Sequence, residues 1–194
     1  MKINAARLCL ALVAAVLPVF TTGLAAQTFS ASVQTSVNVA SPPILLENLR
    51  NLQFGTVTLG QIVTVTAVGP HAPGTISAGA RFTNIRKQIN YNLRFGLPVQ
   101  LVNGSSSMPV TWNGLQYGSL CIWSTTATNC DVIQVPFSPQ AHTSVPLVIM
   151  LPNNSPGNNF SGDVYLGGRL AVPSSGVTPG VYIGTITIFL TAVS

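Results

Sequence analysis

With 194 residues, 47% of them hydrophobic and 6% charged, at a formal net charge of +5, the chain has neither the low hydrophobicity nor the high charge of a disordered protein. Its length suits one domain around a single core. Three carboxylates and two histidines give acid–base or metal chemistry very little to work with.

Lys2 and Arg7 precede an uncharged apolar run over residues 8–20, and small residues follow at Gly23, Ala25 and Ala26. This order is that of a secretory signal peptide, with cleavage after Ala25 or Ala26. The run is short for a bilayer span, so no membrane-spanning segment is expected in the mature chain. Cys9 opens the apolar run rather than closing it, and is expected to be discarded. Export follows: the periplasm in transit, then the cell surface or the medium. Without the leader, six cations (Arg50, Arg81, Arg86, Lys87, Arg94, Arg169) face three carboxylates (Glu47, Asp131, Asp163), an excess of three. So little charge favours an assembled state over a free monomer.

Residues 27–41 form an N-terminal extension. Phe29, Ala31, Val33, Val37 and Val39 fall on one face of an extended strand, broken by Thr35, and Ser30, Ser32, Gln34, Ser36 and Asn38 on the other. Pro42 and Pro43 then separate it from the body, because proline offers no amide hydrogen to a ladder. Two readings stand side by side. The segment is the first strand of its own domain, or it is a donor strand for the open edge of another copy.

The body, residues 42–194, reads as strand and turn throughout. Strands are expected over 53–57, 61–68, 80–85, 89–95, 99–102, 110–112, 119–124, 131–135, 143–151 and 162–172, with Gly- or Pro-rich connections between them. The stretch 81–95 reads as a half-buried hairpin turning at Arg86-Lys87. The last strand, after Pro179-Gly180, alternates: Ile186, Ile188 and Leu190 are assigned to the core, with Phe189 an exception on the threonine face. Short, evenly spaced strands predict an all-β protein, an antiparallel sandwich. Cys121 and Cys130, nine residues apart in an exported chain, predict a disulfide across a short hairpin.

No nucleophile elbow is present, and His71 and His142 sit among turn-formers. Neither a catalytic residue, a cofactor nor a metal is therefore expected. The basic and aromatic residues of 81–95 would suit a stacking surface for single-stranded nucleic acid, but export removes that partner. Contact with anionic surface glycans is a weaker alternative for the same stretch. Asn103, Asn153 and Asn159 each begin an Asn-x-Ser triplet and are read as turn residues.

Phe54-Gly55-Thr56-Val57, Val63-Thr64-Val65, Ala80-Arg81-Phe82-Thr83, Tyr91-Asn92-Leu93, Met108-Pro109-Val110, Leu166-Gly167-Gly168-Arg169-Leu170 and the run from Pro179 to Ile186 follow one another in a recurring order. In this the chain resembles the exported bacterial proteins called domain of unknown function 4402, themselves similar to fimbrial subunits and spore-coat-U-type pilins. The resemblance covers residues 52–191. It implies an immunoglobulin-like, pilin-like sandwich and a structural role in a surface fibre. The partners it implies are further copies or related subunits, with a periplasmic chaperone and an outer-membrane usher. The cysteine hairpin and the lack of a terminal aromatic after Leu190 depart from the pattern. The other reading of the same sandwich is a stand-alone secreted or surface module that binds glycan or protein.

Overall fold

The computed structural model describes residues 27–37 as backbone, and residues 44–124, 130–155 and 157–193 in full. The expected leader, Val39 and Pro42-Pro43 lie outside the described residues. Two sheets enclose one apolar core. The described strands are β1 Gln27–Val37, β2 Leu45–Arg50, β3 Leu52–Val57, β4 Ile62–Val65, β5 Ala78–Ile85, β6 Asn90–Gly96 and β7 Gln100–Asn103, then β8 Ser106–Thr111, β9 Gly118–Ser124, β10 Ile133–Phe137, β11 Leu147–Met150, β12 Phe160–Leu166, β13 Gly168–Ala171 and β14 Tyr182–Val193. Helical structure among the described residues is confined to two single 3₁₀ turns, Leu115–Tyr117 and Pro139–His142. None is long and apolar enough to cross a membrane.

The smaller sheet runs β10-β9-β12-β5-β2 and the larger β11-β6-β14-β7-β8-β13-β4, with β1 against β14 and β3 beyond β1. Alternation decides what lies between them. From one sheet Phe82, Ile85, Leu120, Ile122, Phe160 and Val164 are buried; from the other, Tyr91, Leu93, Phe95, Ile186, Ile188 and Leu190. The layers meet directly where the Phe95 and Phe137 rings stack at 5.4 Å. Buried rings with a polar tip find a partner: Trp112 Nε1 donates to the Pro98 carbonyl (2.7 Å) and the Tyr182 hydroxyl to that of Thr178 (2.8 Å).

Several sequence expectations change in detail. Residues 81–95 are not a hairpin: β5 pairs with β12 and β2, and β6 with β11 and β14, so the Arg86-Lys87 turn carries the chain across the core between sheets. Its two strands both have an apolar face because they face each other through the core, not because they pair. Asn84 and Gln88, with φ of 66° and 62°, redirect the backbone there. Asn84 sits at a bulge that switches the buried series from Phe82 to Ile85. The stretch 162–172 divides in the same way. At Gly167 the chain leaves the smaller sheet (β12) and joins the larger (β13), and a Cβ there would run into the Val65 carbonyl oxygen and sit 2.8 Å from the Thr66 carbonyl carbon. β2 carries no sequence signal of a strand: it is an almost wholly exposed edge strand with no apolar alternation. The sheets are antiparallel except at one place, where β1 and β14 run parallel.

Candidate functional site

β14 is the long central strand of the larger sheet. On one side it pairs with β6 over Thr187–Val193 and with β7 at Ile183. On the other it pairs with β1 alone, from Tyr182 opposite Phe29 to Leu190 opposite Val37. The far side of β1 pairs with β3, from Gln27 opposite Val57 to Ala31 opposite Leu52. Among the described residues β3 has no other strand partner, only a single bridge from Gln53 to Ile76. Thus β1 lies in a slot between β14 and β3, and both walls lose a ladder without it.

The walls are built for close contact. Ile186, Ile188 and Leu190 of β14 and Leu52, Phe54 and Val57 of β3 are all buried in the core. By register, Phe29, Ala31, Val33 and Val37 stand opposite Tyr182, Gly184, Ile186 and Leu190, and Thr35 opposite Ile188. The apolar series of β1 thus occupies the positions that match the inward residues of β14. Phe54 is the extra residue of a bulge opposite Phe29 and Ser30, with Gly55 at φ 73° beside it. A side chain at Gly55 would also press on the Gly74 carbonyl at 3.1 Å.

The cysteines are bonded: Cys121 on β9 and Cys130, before β10, form a disulfide with their Cα atoms 5.0 Å apart. β9 and β10 pair as an antiparallel hairpin, from Gly118–Phe137 to Ile122–Ile133. The two histidines and Asp131 share no hydrogen bond with one another. His142 Nδ1 lies 3.1 Å from the Val145 carbonyl and its ring meets Phe137 edge-on. His71 Nδ1 is buried without a hydrogen-bond partner. Asp131 accepts from the Ser124 amide. Among the described residues no group of three or more His, Cys, Asp or Glu could hold a metal ion. Asn103-Gly104 turns the chain between β7 and β8, with Gly104 at φ 58°.

One cluster escaped the sequence reading. On the outer face of the smaller sheet, Arg81 grips Asp163 with two hydrogen bonds, Nε to Oδ1 at 2.9 Å and Nη2 to Oδ2 at 3.0 Å. The Tyr165 hydroxyl donates to Oδ2 at 2.8 Å. Arg81 lies over Trp123 and Arg50 over Tyr165, at 5.2 and 4.9 Å from the ring centroids. These donors account for a carboxylate that is only 4% exposed. The cluster spans three strands, β5, β9 and β12, with Arg50 added from the edge strand β2. The hydrogen bond to Asp163 raises the pKa of Arg81 above its usual value. Burial raises that of Tyr165, helped by the same carboxylate. A raised folded pKa means that Tyr165 stabilises the fold fully below its unfolded value near 10, and that this contribution is lost as pH rises through the folded value. Tyr165→Phe is expected to cost about 1 kcal/mol at neutral pH, the worth of one hydrogen bond. The gap should close as pH climbs above about 10. Denaturant melts of both proteins from pH 7 to pH 11 check this, and a gap constant across the series would contradict it.

No protein-family model matches the chain, and no curated protein matches it.

Proposed function

We propose that this protein is a structural subunit of a bacterial cell-surface fibre, exported through the periplasm and polymerised by strand donation. Its partners are further copies or related subunits, handled in transit by a chaperone and delivered through an usher. The reading assigns it no catalytic step. The observation that carries it is the placement of β1. β1 fills a slot whose two walls, β14 and β3, have no other strand to close them there among the described residues. Supplying such a strand from a neighbouring copy is β-augmentation, and a head-to-tail contact of that kind propagates as an open fibre. The parallel pairing of β1 and β14 adds support, because parallel ladders are slightly less stable per residue than antiparallel ones. A donor entering in the opposite sense would be antiparallel to β14 over nine paired positions but parallel to β3 over five, so only the longer of the two ladders would gain. The low charge of the chain also suits a surface that is covered by assembly.

A second reading has an observation of its own. β1 closes the slot of its own chain, as it would in a stand-alone secreted or surface sandwich that binds glycan or protein. Electron microscopy of the purified exported protein, with and without a co-expressed chaperone, separates the two. Fibres are expected under the first reading. Uniform single particles in both preparations would favour the second.

A further inference from the structure

We propose that two loops at one end of the smaller sheet form a binding site for an acidic saccharide. The pairing of Phe160 with Ile85 places the turn that follows β5 beside the loop that precedes β12. Between them lies an open cleft of about 440 Å³ lined by Arg86, Lys87, Gln88, Asn158 and Asn159. That volume lies within the range of about 300–1,000 Å³ typical of small-ligand clefts.

The chemistry of the lining selects the ligand. Two adjacent cations and three amide-bearing residues line the cleft, with no carboxylate among its described lining residues. Among the described residues the one salt bridge is Arg81–Asp163, so neither Arg86 nor Lys87 is spent on an internal ion pair. Asp131 is the carboxylate held at the same end of the sheet, on the Ser124 amide. Ser124 pairs with Phe160 and Phe160 with Ile85, so two strand spacings, about 10 Å, separate that point from the basic turn. This is about one Debye length at moderate salt, too far to neutralise the pair. Arg86 and Lys87 would meet a carboxylate or sulfate, and the amides of Gln88, Asn158 and Asn159 would serve ring hydroxyls as donors and acceptors. No aromatic ring is among the described lining residues, so they offer no stacking platform of the kind that single-stranded nucleic acid uses.

The site is also built rather than incidental. The Arg86 amide donates to the buried Tyr91 hydroxyl at 2.8 Å, and Gln88 holds a left-handed φ of 62°. In the opposing loop the Ser155 amide closes a turn on the Pro152 carbonyl at 3.0 Å, and Gly157 takes a φ of 79°. The bond to Tyr91 holds the basic turn in place before a ligand arrives, which lowers the ordering cost of binding there.

The site does not depend on polymerisation, so the test uses the exported protein in whichever state it is purified. A heparin-derived octasaccharide, carrying sulfate and carboxylate, is titrated by calorimetry beside a hyaluronate oligosaccharide (carboxylate only), neutral dextran, inorganic sulfate and a single-stranded DNA oligomer. Saturable binding of one or both acidic saccharides is expected, and which of them binds tells sulfate from carboxylate recognition. R86Q/K87Q should weaken it by roughly tenfold or more, as expected for losing two charge-assisted hydrogen bonds. Arg169→Gln, on β13 of the other sheet, should leave it unchanged. Asn159→Ala, which leaves both cations in place, should weaken it severalfold and serves if the double variant unfolds. Equal loss with Arg169→Gln, equal or tighter binding of the DNA or of sulfate alone, or no binding of either acidic saccharide would overturn the proposal.

Discussion

A chain lacking residues 28–39 is expected to form no polymers and to be unstable as a free monomer, yet to recover when the missing strand is supplied as a peptide. The deletion removes the strand that pairs with β14 from Tyr182 to Leu190 and, among the described strands, the only one that pairs with β3. Backbone groups along both walls then lose their partners, and buried groups left unpaired cost about 1–3 kcal/mol each. A domain's whole stability is only about 5–15 kcal/mol. A few such losses are enough to unfold it. A peptide of residues 27–39 at a hundred times its Kd should restore about 2.7 kcal/mol, a rise of several degrees in Tm. Thermal melts with graded peptide, with electron microscopy of the same samples, measure both effects. If the truncated protein still formed fibres, strand donation would be wrong and the stand-alone module would replace it. If it melted like the full chain, β1 would be no part of the fold.

Which elements the sequence disclosed follows from where their information lies. The alternation of β14 is local, and Ile186, Ile188 and Leu190 are fully buried while Thr185, Phe189 and Thr191 are exposed. The β9–β10 hairpin is also local, since its turn and its cysteines lie within twenty residues. Sheet membership is not local. Two apolar-faced strands with a short connection read alike whether they pair or face each other across the core, and β5 and β6 took the second course. What decides it is backbone conformation at Asn84 and Gln88, residue types that do not announce a left-handed φ as glycine does. The Gly167-Gly168 pair did mark a break in the strand pattern. That the break moves the chain between sheets depends on the carbonyl of Val65, a hundred residues earlier. The Arg81–Asp163–Tyr165 cluster is hidden for the same reason, because its charged partners are 82 positions apart. Of the slot, the alternating pattern of β1 was legible. Its parallel register against β14 was not, since nothing within residues 27–37 specifies which neighbour they meet.

Leu190→Ala is expected to cost about 2–5 kcal/mol, and Phe189→Ala less than about half of that. The two residues are adjacent on the same strand, so their ladder position is nearly equal, and size and propensity would favour a larger loss at Phe189; facing is what reverses the order. Leu190 is fully buried, in register with Leu93 of β6 on one side and Val37 of β1 on the other. Truncation there leaves a cavity between the sheets. Phe189 has the larger side chain, but 42% of its surface is exposed and its pair partner on β6 is Arg94. Its ring gains only part of the roughly 1.5–3 kcal/mol of full burial. Urea melts of the two variants give the comparison, with the slope of each transition checked to confirm that both unfold in one step. Equal losses would mean that β14 does not present its even-numbered residues to the core. A larger loss at Phe189 would mean that its outer face is covered, which places a second layer or another copy against β14 where β1 and β6 flank it.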